Sequence, residues 1–119
     1  MSAPKTYWVY IMASRRRGVL YVGFTSVLTN RVHQHRNGLL EGFTKRYGCK
    51  TLVWFEAYGE PHLGIAREKR VKRWRRDWKF ALIEAENPDW RDLWEDIVGV
   101  PPEAILHDIQ GRGIPALRD

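Results

Sequence analysis

Apolar and polar positions alternate along this chain in blocks that predict two kinds of element. Tyr7 to Ala13 (YWVYIMA) is aromatic, β-branched and apolar, and predicts a strand. Ser14 to Gly18 interrupts it with three arginines and a glycine, and Val19 to Phe24 resumes it, so the pair predicts an antiparallel hairpin. Thr25 and Ser26 are N-cap candidates for a helix that runs to about Asn37, where Gly38 stops it. Glu41 to Lys50 reads as a loop, and Thr51 to Tyr58 (TLVWFEAY) as a third strand. Gly59, Pro61 and Gly64 bracket a turn into a helix near Leu63 to Trp74. A break around Trp74 to Asp77 separates it from a second helical stretch near Arg76 to Glu86. Asn87-Pro88 ends that stretch, because a residue before proline avoids the helical region. Trp90 to Ile97 predicts a short helix. Val98 to Asp119, with three prolines and three glycines, reads as a loosely ordered extension. The order β-β-α-β-α-α predicts an α+β domain over residues 6–95, a small three-stranded antiparallel sheet flanked by helices, followed by the extension at 96–119.

Helical spacing places the polar groups. With Leu28 at zero, Val32 and Leu39 lie within about 40° and form an apolar stripe. His35 falls inside that stripe and Arg31 on its edge, so both lean toward the sheet, while His33 points away at about 140°. A buried arginine needs a partner, which a structural acid or a bound phosphate would supply. On the later helix Val71, Trp74 and Trp78 mark the apolar side, Glu68 borders it, and Lys69, Lys72, Arg73 and Arg76 face outward. On the strands, Tyr10 shares a face with Trp8 and Met12, and Tyr21 with Val19 and Gly23. Gly23 leaves room for something to approach the backbone.

Composition narrows the class. At 119 residues with six Trp, the chain supports one domain with a modest, aromatic-rich core. No apolar run approaches the roughly 20 residues of a membrane span. The opening Met-Ser-Ala-Pro-Lys-Thr lacks the apolar segment of a signal peptide, and the lone Cys49 offers neither an internal disulfide nor a structural zinc site. These features lead to the expectation of a cytoplasmic protein without a membrane role.

The net charge is +6, and its placement is more telling than its size. Residues 64–80 hold eight Lys or Arg against Glu68 and Asp77, and elsewhere the charges cancel. A local basic excess interleaved with Trp74 and Trp78 suits a polyanion, that is nucleic acid. Lys45, Lys69, Arg70, Lys72, Arg73 and Arg76 are the expected contacts.

Taken in order, Trp8-Val9-Tyr10, Tyr21-Val22-Gly23, the helix with Leu28, Arg31 and His35, the segment Phe43-Thr44-Lys45-Arg46-Tyr47, strand Leu52 to Glu56 and Ala66-Arg67-Glu68 resemble the GIY-YIG nuclease superfamily and its small stand-alone bacterial members. The likeness covers roughly residues 6–92, and Asn87 to Leu93 is similar to the family's ending. It implies the GIY-YIG endonuclease fold and an active site of Tyr10, Tyr21, Arg31, His35 and Glu68. It also implies that Glu68 holds one divalent ion, Mg²⁺ or Mn²⁺, with Asn87 as a further candidate. The first tripeptide keeps only its tyrosine, and Phe24 stands where several members carry a lysine that helps hold the attacking water.

The implied activity is hydrolysis of phosphodiester bonds in DNA, selective for structure or strand, with RNA an open alternative. The competing reading is a catalytically weak nucleic-acid-binding module that needs a partner protein. For a tyrosine to act as base at neutral pH its phenol, ordinarily near pKa 10, has to be lowered by Arg31 or a metal.

Overall fold

The structure, a computed structural model, describes residues 5–100 and residue 105. The remaining residues of the C-terminal extension lie outside the described residues. The elements are β1 (Tyr7–Ala13), β2 (Leu20–Thr25), α1 (Leu28–Arg36), α2 (Phe43–Tyr47), β3 (Thr51–Tyr58), α3 (Pro61–Arg73), α4 (Arg76–Glu86) and α5 (Trp94–Ile97). All three strands are antiparallel in the order β2-β1-β3, so the expected α+β architecture is present.

β1 is the central strand, and its alternation divides the molecule. Trp8, Tyr10 and Met12 point to one face, where they meet Leu28 and Val32 of α1, Leu52 and Phe55 of β3, Leu93, Ile97 and Ile105. Val9, Ile11 and Ala13 point to the other, where they meet Val22, Trp54, Val71 of α3 and Ile83 of α4. Six of the seven β1 residues are buried, which suits a strand covered on both faces.

A β-bulge interrupts the β1–β3 ladder. Ile11 pairs with Trp54 and Met12 with Leu52, so Val53 is the extra residue. The Val53 carbonyl accepts a hydrogen bond from Asn87 Nδ2 at 3.1 Å, and the Leu52 carbonyl accepts one from Leu93 N–H at 2.8 Å. The segment after α4 thus closes the outer edge of the sheet.

Several local expectations are corrected. Thr25 and Ser26 do not cap α1; Val27 occupies that position, and Thr25 Oγ1 instead accepts from Val27 N–H at 3.0 Å in a local turn. Because α1 ends at Arg36, Leu39 lies beyond it and is exposed. Glu41 to Lys50 is not all loop, since α2 forms there between Gly42 and a left-handed Gly48. α3 begins at Pro61, where the missing N–H costs nothing. Trp74 and Arg75 are both extended, and this makes the break between α3 and α4. That break puts Trp78 on a different axis from Val71, so it does not extend an apolar stripe: Trp78 is exposed and packs edge-on to Trp74. Residues 90–93 precede α5 without joining it.

Two contacts seat α3 on the sheet. Gly64 is buried against Phe24, and a Cβ there would fall 2.6 Å from Phe24 Cε1. Arg67 Nε donates to Glu56 Oε1 at 3.0 Å, both residues being buried, and Tyr58 Oη donates to the same oxygen at 2.5 Å. Satisfying both charges inside the packed layer fixes the rotation of α3, and with it the direction of the next residue, Glu68.

Candidate active site

The hairpin brings the two tyrosines together. Tyr10 and Tyr21 lie with ring centroids 6.3 Å apart. Tyr10 pairs across the ladder with Gly23, and a Cβ on Gly23 would fall within 3.0 Å of Tyr10 Cζ and Oη. What approaches the Gly23 backbone is therefore the Tyr10 ring itself. Tyr10 is 1% exposed, whereas Tyr21 is half-buried and lies nearer the surface.

His35 projects from α1 into the same place. Its ring centroid lies 5.6 Å from that of Tyr10 and 5.3 Å from that of Tyr21. Nε2 makes a 2.8 Å hydrogen bond with Tyr10 Oη, and Nδ1 makes one of 2.9 Å with Thr44 Oγ1 on α2. A neutral imidazole carries one proton, so one nitrogen donates and the other accepts. Thr44 is buried, and its carbonyl takes the Cys49 N–H at 2.9 Å. The sequence places Thr44 within the segment Phe43 to Tyr47 without marking a role for it. Its tie to His35 crosses elements and has no local signature.

Electrostatics set the resting protonation. Burial, then the neighbouring Tyr21, pushes the Tyr10 phenol well above its ordinary value; Arg31 opposes this and Glu68 adds to it. Burial, then the Arg31 charge, lowers His35 to about 4. At neutral pH the pair is an uncharged phenol against an uncharged imidazole. The expectation that Arg31 would lower Tyr10 is thus met only in sign, because desolvation outweighs it.

Arg31 and Glu68 complete the group. Arg31 is exposed rather than leaning into the core, so it requires no buried partner, yet its charge reaches both Tyr10 and His35. The Glu68 side chain is 13% exposed and pairs with Lys72 one turn on. Tyr10, Tyr21 and His35 are thus in contact, and the charges of Arg31 and Glu68 both reach Tyr10.

The other candidates are distributed differently. Lys69, Lys72 and Arg73 are exposed on the outside of α3, and Arg70 is half-buried beside them. Arg76 donates to the Arg17 and Gly18 carbonyls at 2.7 and 2.6 Å, tying α4 to the β1–β2 turn. Lys45, on α2, pairs with Glu41 at 2.7 Å. Asn87 spends its whole amide on backbone: Nδ2 donates to Val53 O and Arg91 O, and Oδ1 accepts from Arg91 N–H. Phe24, half-buried, stacks on Tyr7 with centroids 6.0 Å apart and receives Gly64.

Residues 6–81 match the GIY-YIG catalytic domain, and the chain belongs to that family, whose members are nuclease-type domains that act on nucleic acid. It is similar to a UPF0213 protein of Aeromonas salmonicida, at 27% identity over 87% of this chain and 77% of that protein. It is also similar to UPF0213 proteins of Clostridium perfringens (31%, covering 67% of this chain and 85% of that one) and Lacticaseibacillus paracasei (28%, covering 75% and 99%). These relatives support a stand-alone GIY-YIG domain protein. No solved structure matches the chain significantly.

GIY-YIG nucleases typically use a divalent metal. Among the described residues no three His, Cys, Asp or Glu side chains cluster, and His35 Nε2 is engaged by Tyr10. A lone carboxylate at the rim fits a hard ion that keeps most of its waters and takes phosphate oxygens as its other ligands. No helix of the described residues is long and apolar enough to cross a membrane.

Proposed function

We propose that this protein is a metal-dependent endonuclease that hydrolyses phosphodiester bonds in DNA, selecting its substrate by strand or structure. The observation that carries this reading is the convergence of two tyrosines, a neutral histidine, an exposed arginine and one carboxylate. The other phenol, cation and acid that meet, Tyr58, Arg67 and Glu56, differ in that Glu56 and Arg67 are buried against each other.

Each residue's part follows from its exposure. Arg31 meets the phosphate from solvent and balances charge as it grows on the non-bridging oxygens. Tyr21, the more accessible phenol, contacts the phosphate and the attacking water. Tyr10 and His35 lie behind it as a buried pair along which a proton is taken up. Neutralising Arg31 with a phosphate removes one of the two influences that hold His35 down, so the imidazole becomes more basic once substrate is bound. Glu68 holds one Mg²⁺ or Mn²⁺. Such an ion would supply Lewis-acid stabilisation of charge on the phosphate. Lys69, Lys72 and Arg73 extend the cationic surface along the outer face of α3 for the flanking backbone. Such a protein works in the cytoplasm, alone or with a protein partner.

The test is divalent-metal-dependent cleavage of labelled single strands, duplex, flaps, forks and RNA, with Tyr10→Phe and Glu68→Ala in parallel. Cleavage by the wild type that both variants lose, while Glu68→Ala still binds, is the expected result. Full activity in Glu68→Ala overturns the metal-ligand assignment. Binding without cleavage under every metal favours the partner-dependent binding module, for which the uncharged resting state of Tyr10 is the supporting observation.

A further inference from the structure

Beside the candidate active site two aromatic rings stand in solvent. Phe43 is 45% and Tyr47 44% exposed, both on α2, with centroids 4.7 Å apart. The two rings are tilted at 48° to each other, so their mutual contact leaves a large part of each uncovered. They are continuous with the site: the Phe43 ring lies 6.2 Å from that of Tyr21, which lies 5.3 Å from His35. The pair borders an open groove of about 610 Å³, within the range of small-molecule clefts, lined also by Glu41, Gly42, Lys45 and Arg46.

The charges beside the rings define the occupant. The Arg46 guanidinium lies 5.4 Å from the Tyr47 ring centroid, and Lys45 sits between the two aromatics in sequence. Glu41 holds Lys45 only through an exposed pair, which is weak and readily exchanged for a phosphate. A flat π-face flanked by two cations suits a ligand that is planar and aromatic at one end and anionic at the other. A nucleotide is such a ligand, and one whose phosphate sits at Arg31 and Tyr21 carries its base within reach of Phe43.

We propose that Phe43 and Tyr47 form a stacking subsite for a nucleobase next to the scissile phosphate, with Lys45 and Arg46 on the adjoining phosphate. The inference rests on the nuclease reading and adds the substrate feature the protein grips: an exposed base face, which a base stacked within a duplex does not offer. Stacking is indifferent to base identity, so the subsite selects for accessible bases rather than for sequence.

Binding in the presence of a chelator separates this proposal from hydrolysis. The probes are oligothymidylate, oligouridylate and an abasic deoxyribose-phosphate chain of equal length. The wild type should bind the thymidylate more tightly than the abasic chain. The double change Phe43→Ala, Tyr47→Ala should weaken thymidylate binding roughly 5- to 150-fold and leave abasic binding unchanged. Phe43→Trp, with Tyr47 intact, should keep the wild-type affinity for thymidylate. Because both side chains are exposed, thermal unfolding of the variants should match the wild type, and the single changes serve if the double one does not fold. Equal weakening on both DNA chains, or none on thymidylate, overturns the subsite while the nuclease reading stands. A wild type that binds none of the probes overturns both. Uridylate binding that follows thymidylate through the variants supports a subsite open to RNA bases, and uridylate binding indifferent to them confines it to DNA.

Discussion

Gly23→Ala places one methyl group where the Tyr10 ring already lies. Its Cβ would fall 2.7 Å from Tyr10 Cε1 and still nearer Cζ and Oη, whereas carbons settle at about 3.5–4.0 Å. The ring or the strand therefore has to yield by about an ångström. Neither yields easily, because Tyr10 is buried, its hydroxyl is bonded to His35, and β1 is paired on both edges. Gly23 does not occupy the left-handed region, so the penalty is steric alone. Overpacking a core by a methyl costs about 1–3 kcal/mol, and losing the Tyr10–His35 bond adds about 0.5–1.5 kcal/mol. Their sum, about 1.5–4.5 kcal/mol, is a large part of the roughly 5–15 kcal/mol that holds a small domain folded. Urea unfolding followed by tryptophan fluorescence reads it as a lowered midpoint, and cleavage assayed below that midpoint should fall more steeply than stability does. The discriminating background is Tyr10→Ala, which removes the ring. There Gly23→Ala should add little, giving a coupling energy of about 1.5–4.5 kcal/mol, nearly its whole effect. An unchanged midpoint, or the same loss in both backgrounds, would refute the steric account.

Two further predictions concern residues around that pair. His35 titrates near 4 in the folded protein against an ordinary 6.5, so the unfolded chain protonates it first. Its contribution is present in full above about pH 6.5 and lost as pH falls toward about 4, up to about 3 kcal/mol in all. Urea midpoints across that range should fall further for the wild type than for His35→Gln, and parallel curves would disprove the assignment. Asn87→Ala strands two carbonyls and one N–H at the bulge and the following turn, and should cost about 1–3 kcal/mol in the same unfolding assay. Its cleavage rate per folded molecule should stay at the wild-type level, and a large fall in that rate would make Asn87 part of the chemistry.

The sheet and the long helices were legible because each is specified locally. YWVYIMA and TLVWFEAY read as strands from composition alone, and the proline and glycines around residues 59–64 mark where the third strand ends. α2 was not legible: five residues between two glycines carry no stripe long enough to show a period. Missing α2 also hid the role of Thr44, which reaches His35 only when that short helix folds against α1. The wheel put His35 inside correctly but inclined Arg31 inward too, because a wheel gives an angle and not how far a long side chain reaches toward water. Arg67 is one of the eight bases in residues 64–80, yet Glu56, eleven positions earlier, draws it into the core. A charge pairing across elements has no period for a sequence to display.

The face of β1 that carries Tyr10 is filled in part by residues that come late in the chain. Leu93, Ile97 and Ile105 belong to the same cluster as Trp8, Tyr10 and Met12, yet all three lie beyond residue 81, where the match to the catalytic domain ends. The apolar core that backs Tyr10 is therefore larger than the segment that matches the catalytic domain. A fragment trimmed to residues 6–81 would retain all five candidate residues but uncover the apolar flank on which Tyr10 rests. Leu93 and Ile97 are therefore positions where stability can be retuned without altering any of the five candidate residues.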